Sequence, residues 1–171
     1  MNKQAECYQR DLLELSHEDI EACYGSFNDI DKLDSFGDTL LLAACKNKQE
    51  DNVKLYLSLG ANPDYVNGCG ESPLHEIIDT VMENEDASLK IAQILLDAGA
   101  NIEQRAYMDK TPFLRACGRD SLKMLELLVQ NGCNPNATVT EYDATIGAKF
   151  FADTFNLKPE LKAFIKHACN S

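Results

Sequence analysis

The sequence predicts an all-α protein in which short helix–turn–helix units, joined by β-hairpin loops, stack into a single array. Two separate motifs recur about every 33 residues, and the apolar residues between them follow helical spacing. In addition, 44% of the 171 residues are hydrophobic, which is enough for one folded core. Helices this short are marginal alone, so each unit must bury its apolar face against its neighbours.

A hydroxyl residue opens each unit and a glycine closes it. The opening residues, which are 33, 39 and 34 positions apart, are Thr39, Ser72, Thr111 and Thr145. The closing residues, which are 39 and 33 positions apart, are Gly60, Gly99 and Gly132. Both series place six additional residues in the middle unit, within the stretch DTVMENEDASLK. This insertion, over residues 80–88, is predicted either to lengthen the first helix of that unit or to form a protruding acidic loop.

Each unit is predicted to contain two helices. In the third unit Thr111 caps the first helix, and Pro112 occupies its first position, where no backbone donor is needed. The second helix lies in SLKMLELLVQNG and ends at Gly132, which favours a left-handed C-cap. Its apolar face consists of Leu122, Leu125, Leu128 and Val129. The two earlier units repeat this face with Val53, Leu55 and Leu57, and with Ile91, Ile94 and Leu95.

Both ends of the chain are predicted to act as degenerate capping repeats, because a terminal unit has solvent on one side. The stretch AECYQRDLLELSHEDIEACYG is predicted to form two short helices. The stretch TIGAKFFADTFNLKPELKAFIKHAC is predicted to form two more, the second starting near Pro159. The predicted divisions of the single domain, of which the middle three are central repeats, are residues 1–33, 34–66, 67–105, 106–139 and 140–171.

These motifs resemble the ankyrin repeat, which has a period of about 33 residues, a start of the T-P-L-H type and an end of the G-A-D type. The start SPLH at residues 72–75 is close to that pattern, TPFL at 111–114 lacks the histidine, and TLLL at 39–42 lacks the proline as well. The three ends have asparagine where the family prefers aspartate. The resemblance covers residues 27–147 and implies an ankyrin-repeat solenoid. It also implies that His75 is structural, with ring nitrogens that tie the turn to neighbouring backbone.

The composition disfavours several classes of protein. No apolar run approaches the ~18 residues that a membrane span needs. The N-terminus MNKQAECYQRDLLEL is too polar for a signal peptide, so we expect a soluble cytoplasmic protein. The net charge of -12 disfavours binding to nucleic acid or to an anionic membrane. The same charge favours a basic partner, although it also serves solubility.

The seven cysteines are predicted to be mostly small buried residues: Cys7, Cys23, Cys45, Cys69, Cys117, Cys133 and Cys169. Their odd number, without C-x-x-C spacing or a histidine near any pair of cysteines, argues against disulfides and a metal site, and we expect no cofactor. Cys45 and Cys117 stand where the resemblance implies a buried alanine. Cys69, in NGCG, is expected to be exposed at a hairpin tip. No phosphate loop or nucleophile motif is present, so we expect no enzyme activity.

The resemblance implies a concave groove, made of hairpin tips and first helices, that binds a partner. The candidate residues at these positions are Leu33, Ser35, Phe36, Asp38, Lys46, Asn47, Val66, Cys69, Glu71, Asp79, Arg105, Tyr107, Met108, Lys110, Arg119, Val139, Glu141 and Tyr142. Core packing does not explain the large apolar side chains at the tips, which are Phe36, Tyr107, Met108 and Tyr142. We expect at least one of them to pack on an adjacent hairpin. Aromatic, methionine and arginine side chains are enriched in protein interfaces, so the tips predict a protein-binding face.

The sequence therefore predicts a non-catalytic protein-interaction module that is monomeric when free and binds no small-molecule substrate. Small acidic arrays of this kind resemble the immunity proteins that bacteria pair with secreted toxins. This resemblance implies an inhibitor of a basic toxin or enzyme. One alternative is an adaptor or host-directed effector scaffold that recruits another protein. Another is a regulator that is redox-sensitive through Cys69.

Overall fold

Two rows of stacked helices form the part of the chain that the computed structural model describes, which is residues 29–141 and 143–170. In chain order the elements are α1 (Leu40–Lys46), α2 (Glu50–Ser58), α3 (Pro73–Asp79), α4 (Glu85–Asp97), α5 (Pro112–Ala116), α6 (Leu122–Gln130), β1 (Thr138–Glu141), β2 (Ala144–Gly147), α7 (Ala148–Thr154) and α8 (Pro159–Ala168). A short turn with 3-10-type hydrogen bonding covers Tyr107–Asp109, and Met108 within it is not helical. The two helices predicted for the N-terminal cap lie outside the described residues.

The first helices of successive units pack on one another, and so do the second helices. The helices α1, α3 and α5 form one row, and α2, α4, α6 and α8 form the other. The core lies between the rows and contains Leu41, Tyr56, Ile77, Leu95 and Phe113, all fully buried. The all-α array predicted from the sequence is confirmed. None of the helices in residues 29–141 and 143–170 is long and apolar enough to cross a membrane.

The hydroxyl residues predicted to open the first three units do cap their first helices. The side-chain oxygens of Thr39, Ser72 and Thr111 accept hydrogen bonds from the backbone N–H three residues later, at 3.2, 3.4 and 3.3 Å. Pro73 and Pro112 occupy the first turn. Each cap satisfies a backbone donor that the helix itself leaves without a partner.

The closing glycines end the second helices in the left-handed conformation that the sequence predicts. Gly60, Gly99 and Gly132 have φ values of 90°, 90° and 84°. The N–H of the following residue donates to the carbonyl five positions back, as from Ala61 to Tyr56 at 3.0 Å. This arrangement satisfies the last carbonyl groups of each helix and turns the chain toward the next unit.

The fourth unit begins its helix later than the sequence spacing predicts. Thr145 lies in β2 and caps no helix, whereas α7 begins at Ala148 after Gly147. Pairing of β1 with β2 is antiparallel and places Val139 opposite Ile146, and both side chains are buried. Because this pairing buries two apolar residues, the hairpin continues past Thr145. The last helix, α8, begins at Pro159 as predicted.

Four of the six inserted residues lengthen the second helix, which neither alternative inferred from the sequence predicted. The helix α4 has 13 residues, whereas α2 and α6 have 9 each, and α3 has 7 residues, against 7 in α1 and 5 in α5. The extra turn is at the N-terminus of α4, where Asn84 caps the helix. Glu85 in this turn accepts hydrogen bonds from Ser121 Oγ at 2.8 Å and Lys123 Nζ at 2.9 Å. These contacts hold the additional turn against the start of α6.

The described cysteines are buried except for Cys69, as predicted. Burial raises the pKa of the Cys45 and Cys117 thiols far above the usual range. It also raises the pKa of the Cys133 thiol to about 12. These thiols therefore stay protonated at neutral pH and behave as small apolar core residues. Cys7 and Cys23 lie outside the described residues.

Candidate functional site

Three hairpin turns precede the first helices and contact one another in sequence order. They cover residues 34–38, 67–71 and 106–110, and in each the first residue's N–H donates to the fifth residue's carbonyl, at 2.9, 3.0 and 3.3 Å. Asn67 Nδ2 in the second turn donates to Asp38 Oδ1 in the first at 2.6 Å. The N–H of Tyr107 in the third turn donates to the carbonyl of Gly70 at 2.9 Å. We call these turns, together with α1, α3 and α5, the tip face.

A side chain closes the first two turns but not the third. Asp34 Oδ1 accepts from two backbone N–H groups of its own turn, and Asn67 Oδ1 does the same in the second. The third turn starts at Ala106, which has no side-chain acceptor, and Met108 and Asp109 adopt left-handed φ values of 58° and 55°. A methionine is strained in that conformation, whereas an aspartate adopts it more readily. The tip that carries Tyr107 and Met108 is thus held in a strained shape.

The large apolar residues predicted at the tips are exposed wherever the structure describes them. The side chain of Phe36 is 61% exposed, that of Tyr107 is 53% exposed, and that of Met108 is 45% exposed. Leu33, Ser35, Cys69 and Arg105 are exposed as well, and Val66 is half-buried. Tyr142 lies outside the described residues. Single exposed apolar residues are common on protein surfaces. Three large ones on the same face are more typical of an interaction surface.

Two of the predicted partner-binding residues have buried side chains. Asp38 is only 1% exposed and accepts from Lys46 Nζ at 2.8 Å as well as from Asn67. Val139 is 4% exposed because it packs in the last hairpin opposite Ile146. Neither side chain is therefore exposed for contact with a partner.

The predicted charged residues form ion pairs that link successive units. Lys46 Nζ also lies 2.8 Å from Glu71 Oε2, and this hydrogen bond from Lys46 lowers the pKa of Glu71. Lys110 Nζ lies 3.2 Å from Glu141 Oε1 and 5.3 Å from the ring centroid of Phe151. These pairs are partly shielded from solvent, so they are screened less by salt than fully exposed pairs.

Asp79 is the centre of a second charged cluster. Its carboxylate accepts from Arg115 Nε at 2.6 Å and Nη2 at 2.5 Å, and from Arg119 Nη2 at 2.7 Å. The guanidinium of Arg115 also lies 5.4 Å from the centre of the Tyr107 ring. A bidentate arginine–carboxylate pair is both directional and strong. It therefore fixes α3 against α5 and orients the neighbouring tyrosine.

Two further predicted residues bind backbone within the tip face. Arg105 donates to the Asp109 carbonyl and carboxylate at 2.7 and 2.8 Å, and to the Thr138 carbonyl at 3.1 Å. Asn47 Nδ2 donates to the Ala43 carbonyl at 2.9 Å. Both side chains stabilise the local fold while part of each is accessible.

His75 has the structural role that the sequence resemblance implies. Its Nδ1 lies 2.8 Å from Ser72 Oγ, and its Nε2 lies 2.9 Å from the carbonyl oxygen of Lys110 in the next hairpin. Burial lowers the pKa of the ring, so His75 is neutral at pH 7. A neutral ring with both nitrogens engaged is not available as a general base.

Two pockets open on the tip face on either side of Arg115. The central pocket, with a volume of about 200 Å³, is lined by Cys69, Gly70, Glu71, His75, Glu76, Asp79, Tyr107 and Arg115. The C-terminal pocket, with a volume of about 170 Å³, is lined by Lys110, Leu114, Arg115, Gly118, Arg119, Phe151 and Phe155. Carboxylates dominate the first pocket, whereas cations and phenyl rings dominate the second. The central pocket thus has three carboxylates in its lining and the C-terminal pocket has three cations, with Arg115 shared by both.

Several pocket residues are not among the candidates predicted from the sequence. Glu76 and Arg115 each follow the hydroxyl cap of their helix by four positions. This spacing is about one helical turn and could have revealed them. Phe151 and Phe155 could not be found by this spacing, because the first helix of the last unit begins at Ala148 and not after Thr145.

Comparison with protein families agrees with this architecture. The family model for ankyrin repeats (3 copies) matches residues 7–106 and 40–139, which together cover most of the chain. The chain belongs to the ankyrin-repeat family. Ankyrin-repeat arrays are protein–protein interaction modules, and this array is one of them. The helical rows are therefore a scaffold, and the function depends on the side chains that the scaffold exposes.

Relatives of this ankyrin-repeat protein are considerably longer. An ankyrin repeat protein of Rickettsia bellii (strain RML369-C) is 32% identical over 134 residues, which are 77% of this chain and 40% of that protein. The human transient receptor potential cation channel subfamily A member 1 is 29% identical over 104 residues, which are 61% of this chain and 9% of the channel. The chain thus spans less than half the length of these relatives, and the similarity concerns their repeat regions.

Proposed function

We propose that the chain is a non-catalytic inhibitor of the immunity type, which binds a basic toxin or enzyme through its tip face. The observation that carries this proposal is the exposure of Phe36, Tyr107 and Met108 on one face of a protein with a net charge of -12. Exposed aromatic and methionine side chains supply the anchors of protein interfaces. The negative charge accelerates encounter with a basic partner.

The test uses the protein encoded next to this chain, if that protein is a secreted toxin. Co-purification of the two proteins and loss of the toxin's activity at a one-to-one ratio are the expected results. Association should also slow as ionic strength rises, because steering between opposite charges is screened by salt. Failure to bind or inhibit any such toxin would remove the immunity proposal.

Substitution of the tips tests whether this face makes the contact. Phe36→Ala and Tyr107→Ala should each weaken binding by about 30-fold or more, since a true interface anchor contributes roughly 2 kcal/mol or more. Leu59→Ala is the matched control, because Leu59 is a similarly exposed apolar residue at the end of α2 and away from the tips. Affinities are measured by calorimetry. Equal losses in all three variants would contradict the assignment of the tip face.

An adaptor or host-directed effector scaffold is the second candidate. The relatives favour it in one respect, since their repeats are parts of longer proteins. A partner that binds through the same tips but keeps its full activity would support recruitment over inhibition. A redox-sensitive regulator based on Cys69 has less support, because the exposure of this thiol is the single observation behind it.

A further inference from the structure

The central pocket is the right size for one side chain of a partner. Its volume of about 200 Å³ is below the roughly 300–1,000 Å³ of clefts that hold drug-sized ligands. Its walls come from the second hairpin, the third hairpin, α3 and α5, and so it exists only where two units meet. The pocket therefore has a shape set by the array itself.

One carboxylate in this pocket lacks a partner. Glu71 is engaged by Lys46 and Asn67, and Asp79 is engaged by two arginines. The Glu76 carboxylate has no hydrogen bond or ion pair among residues 29–141 and 143–170. It is half-buried, and this burial raises its pKa.

The nearby cations do not neutralise Glu76 directly. Lys46 lies between Asp38 and Glu71, at 2.8 Å from each. The Lys48 ammonium donates to Thr80 Oγ1. Arg115 is bound to Asp79. The two lysines and Arg115 attract the Glu76 carboxylate at longer range, while Glu71 and Asp79 repel it. A cation that enters the pocket would make the direct contact that the chain itself leaves open.

The same pocket also has a flat aromatic surface in its lining. The ring of Tyr107 is half exposed, and the third hairpin lies so close to the second that a Cβ at Gly70 would be 3.0 Å from Tyr107 Cα. In this position the ring already lies beside the Arg115 guanidinium. Tyrosine rings pack well against the aliphatic stem of a long basic side chain and attract its charged head.

We propose that the central pocket receives an arginine side chain of the partner protein, with its guanidinium on Glu76 and its stem against Tyr107. This inference rests on the proposed function, since it names the chemistry by which the tip face recognises a basic partner. Charge complementarity selects a cation. Arginine fits better than lysine because its planar guanidinium is less strongly hydrated and binds a carboxylate through two parallel hydrogen bonds.

The experiment uses a probe that is independent of the natural partner. The blocked peptide acetyl-Gly-Arg-Gly-amide is titrated into the ¹⁵N-labelled chain, and the isosteric but neutral citrulline peptide is titrated in parallel. We expect saturable shifts of the amide signals of Gly70, Glu76 and Tyr107 with arginine and none with citrulline. Glu76→Gln should weaken arginine binding by about tenfold or more, because it removes a charge-assisted pair.

The control variant carries the same chemical change on a distant surface. Glu160 is exposed near the start of α8, and Glu160→Gln lowers the net negative charge by the same amount. This variant should bind the peptide as the wild type does, and the dispersion of each spectrum shows that both variants fold. Equal weakening by the two variants, or shifts confined to other surfaces, would overturn the pocket assignment.

Failure of this inference is distinguishable from failure of the proposed function. If a basic partner is inhibited through Phe36 and Tyr107, but Glu76→Gln changes neither the peptide titration nor the partner's affinity, the pocket proposal is overturned and the inhibitor proposal stands. If the peptide binds at Glu76 and no basic protein is inhibited, the pocket proposal is supported and the inhibitor proposal fails.

Discussion

At the scale of single residues, burial has opposite effects on stability at two neighbouring side chains of α3. His75 is buried with both ring nitrogens engaged, and its bond to the Lys110 carbonyl ties the second unit to the third. Glu76, its neighbour in the chain, is half-buried without any such partner among the described residues. The histidine stabilises the array, whereas the glutamate costs stability because its charged form is desolvated.

The stability cost of Glu76 has a sign that depends on pH. Because burial raises its pKa, the folded chain binds a proton more tightly than the unfolded chain, and stability falls as pH rises through the interval between the two pKa values. We therefore expect Glu76→Gln to match the wild type near pH 4, below the ordinary glutamate pKa of about 4.3, and to exceed it at pH 7. Urea unfolding from pH 4 to pH 8 measures the difference. A variant less stable than the wild type at pH 7 would contradict an uncompensated carboxylate.

At the scale of elements, backbone contact between hairpins sets the spacing of the tip face. Gly70 has a φ of 78° and lies directly under the third hairpin, whereas Gly37 has a φ of 80° and a methyl group added there would meet no other atom within 4 Å. The two glycines share one conformation and differ in their surroundings. The inserted turn of α4 also contacts a neighbouring unit, because Glu85 binds Ser121, the cap of α6.

Substitution of these two glycines distinguishes the cost of a positive φ from the cost of a steric contact between hairpins. Gly37→Ala and Gly70→Ala should each lose roughly 1–2 kcal/mol of unfolding free energy, because both residues have positive φ. Gly70→Ala should lose about 1–3 kcal/mol more, because its methyl group would press on Tyr107 backbone. Chemical denaturation of both variants measures the losses. Equal losses of unfolding free energy in the two variants would show that the third hairpin can move away from Gly70 without loss of stability.

At the scale of the whole molecule, the array divides its residues between a stabilising core and a binding surface. Leu74 and Leu128 are buried in the rows of helices, whereas Phe36 and Tyr107 are exposed on the tips. Since each repeat contacts only its neighbours, the loss of one core contact weakens the interfaces on both sides of a unit. The two groups of residues should therefore respond differently to truncation.

Core truncation should unfold the array, and tip truncation should not. Leu128→Ala is expected to lose roughly 2–5 kcal/mol, a large share of the 5–15 kcal/mol that typical domains have in total. Tyr107→Ala should lose less than about 1 kcal/mol, since its ring is half exposed. Thermal unfolding followed by circular dichroism compares the two variants. A tip variant as unstable as the core variant would show that Tyr107 belongs to the core.

The sequence by itself determined the repeat, the two helices of each central unit, and the roles of its local signals. Thr39, Ser72 and Thr111 cap helices, and Gly60, Gly99 and Gly132 end them, because caps and C-terminal turns are formed by residues within a few positions of each other. The exposure of Phe36 and Tyr107 followed from their position in a turn. Such features are visible in a short window of sequence.

Only the tertiary structure decided the features that depend on contacts between units. The extension of α4 and the burial of Asp38 both involve contacts with residues at least 29 positions away in the chain. The carboxylate of Asp79 is neutralised by Arg115, 36 positions away, whereas that of Glu76 is left without a partner among the described residues. The residue spacing within one unit does not reveal which charged side chains meet across the interface between two units. The three-dimensional stacking of the repeats therefore decides what the tip face can bind.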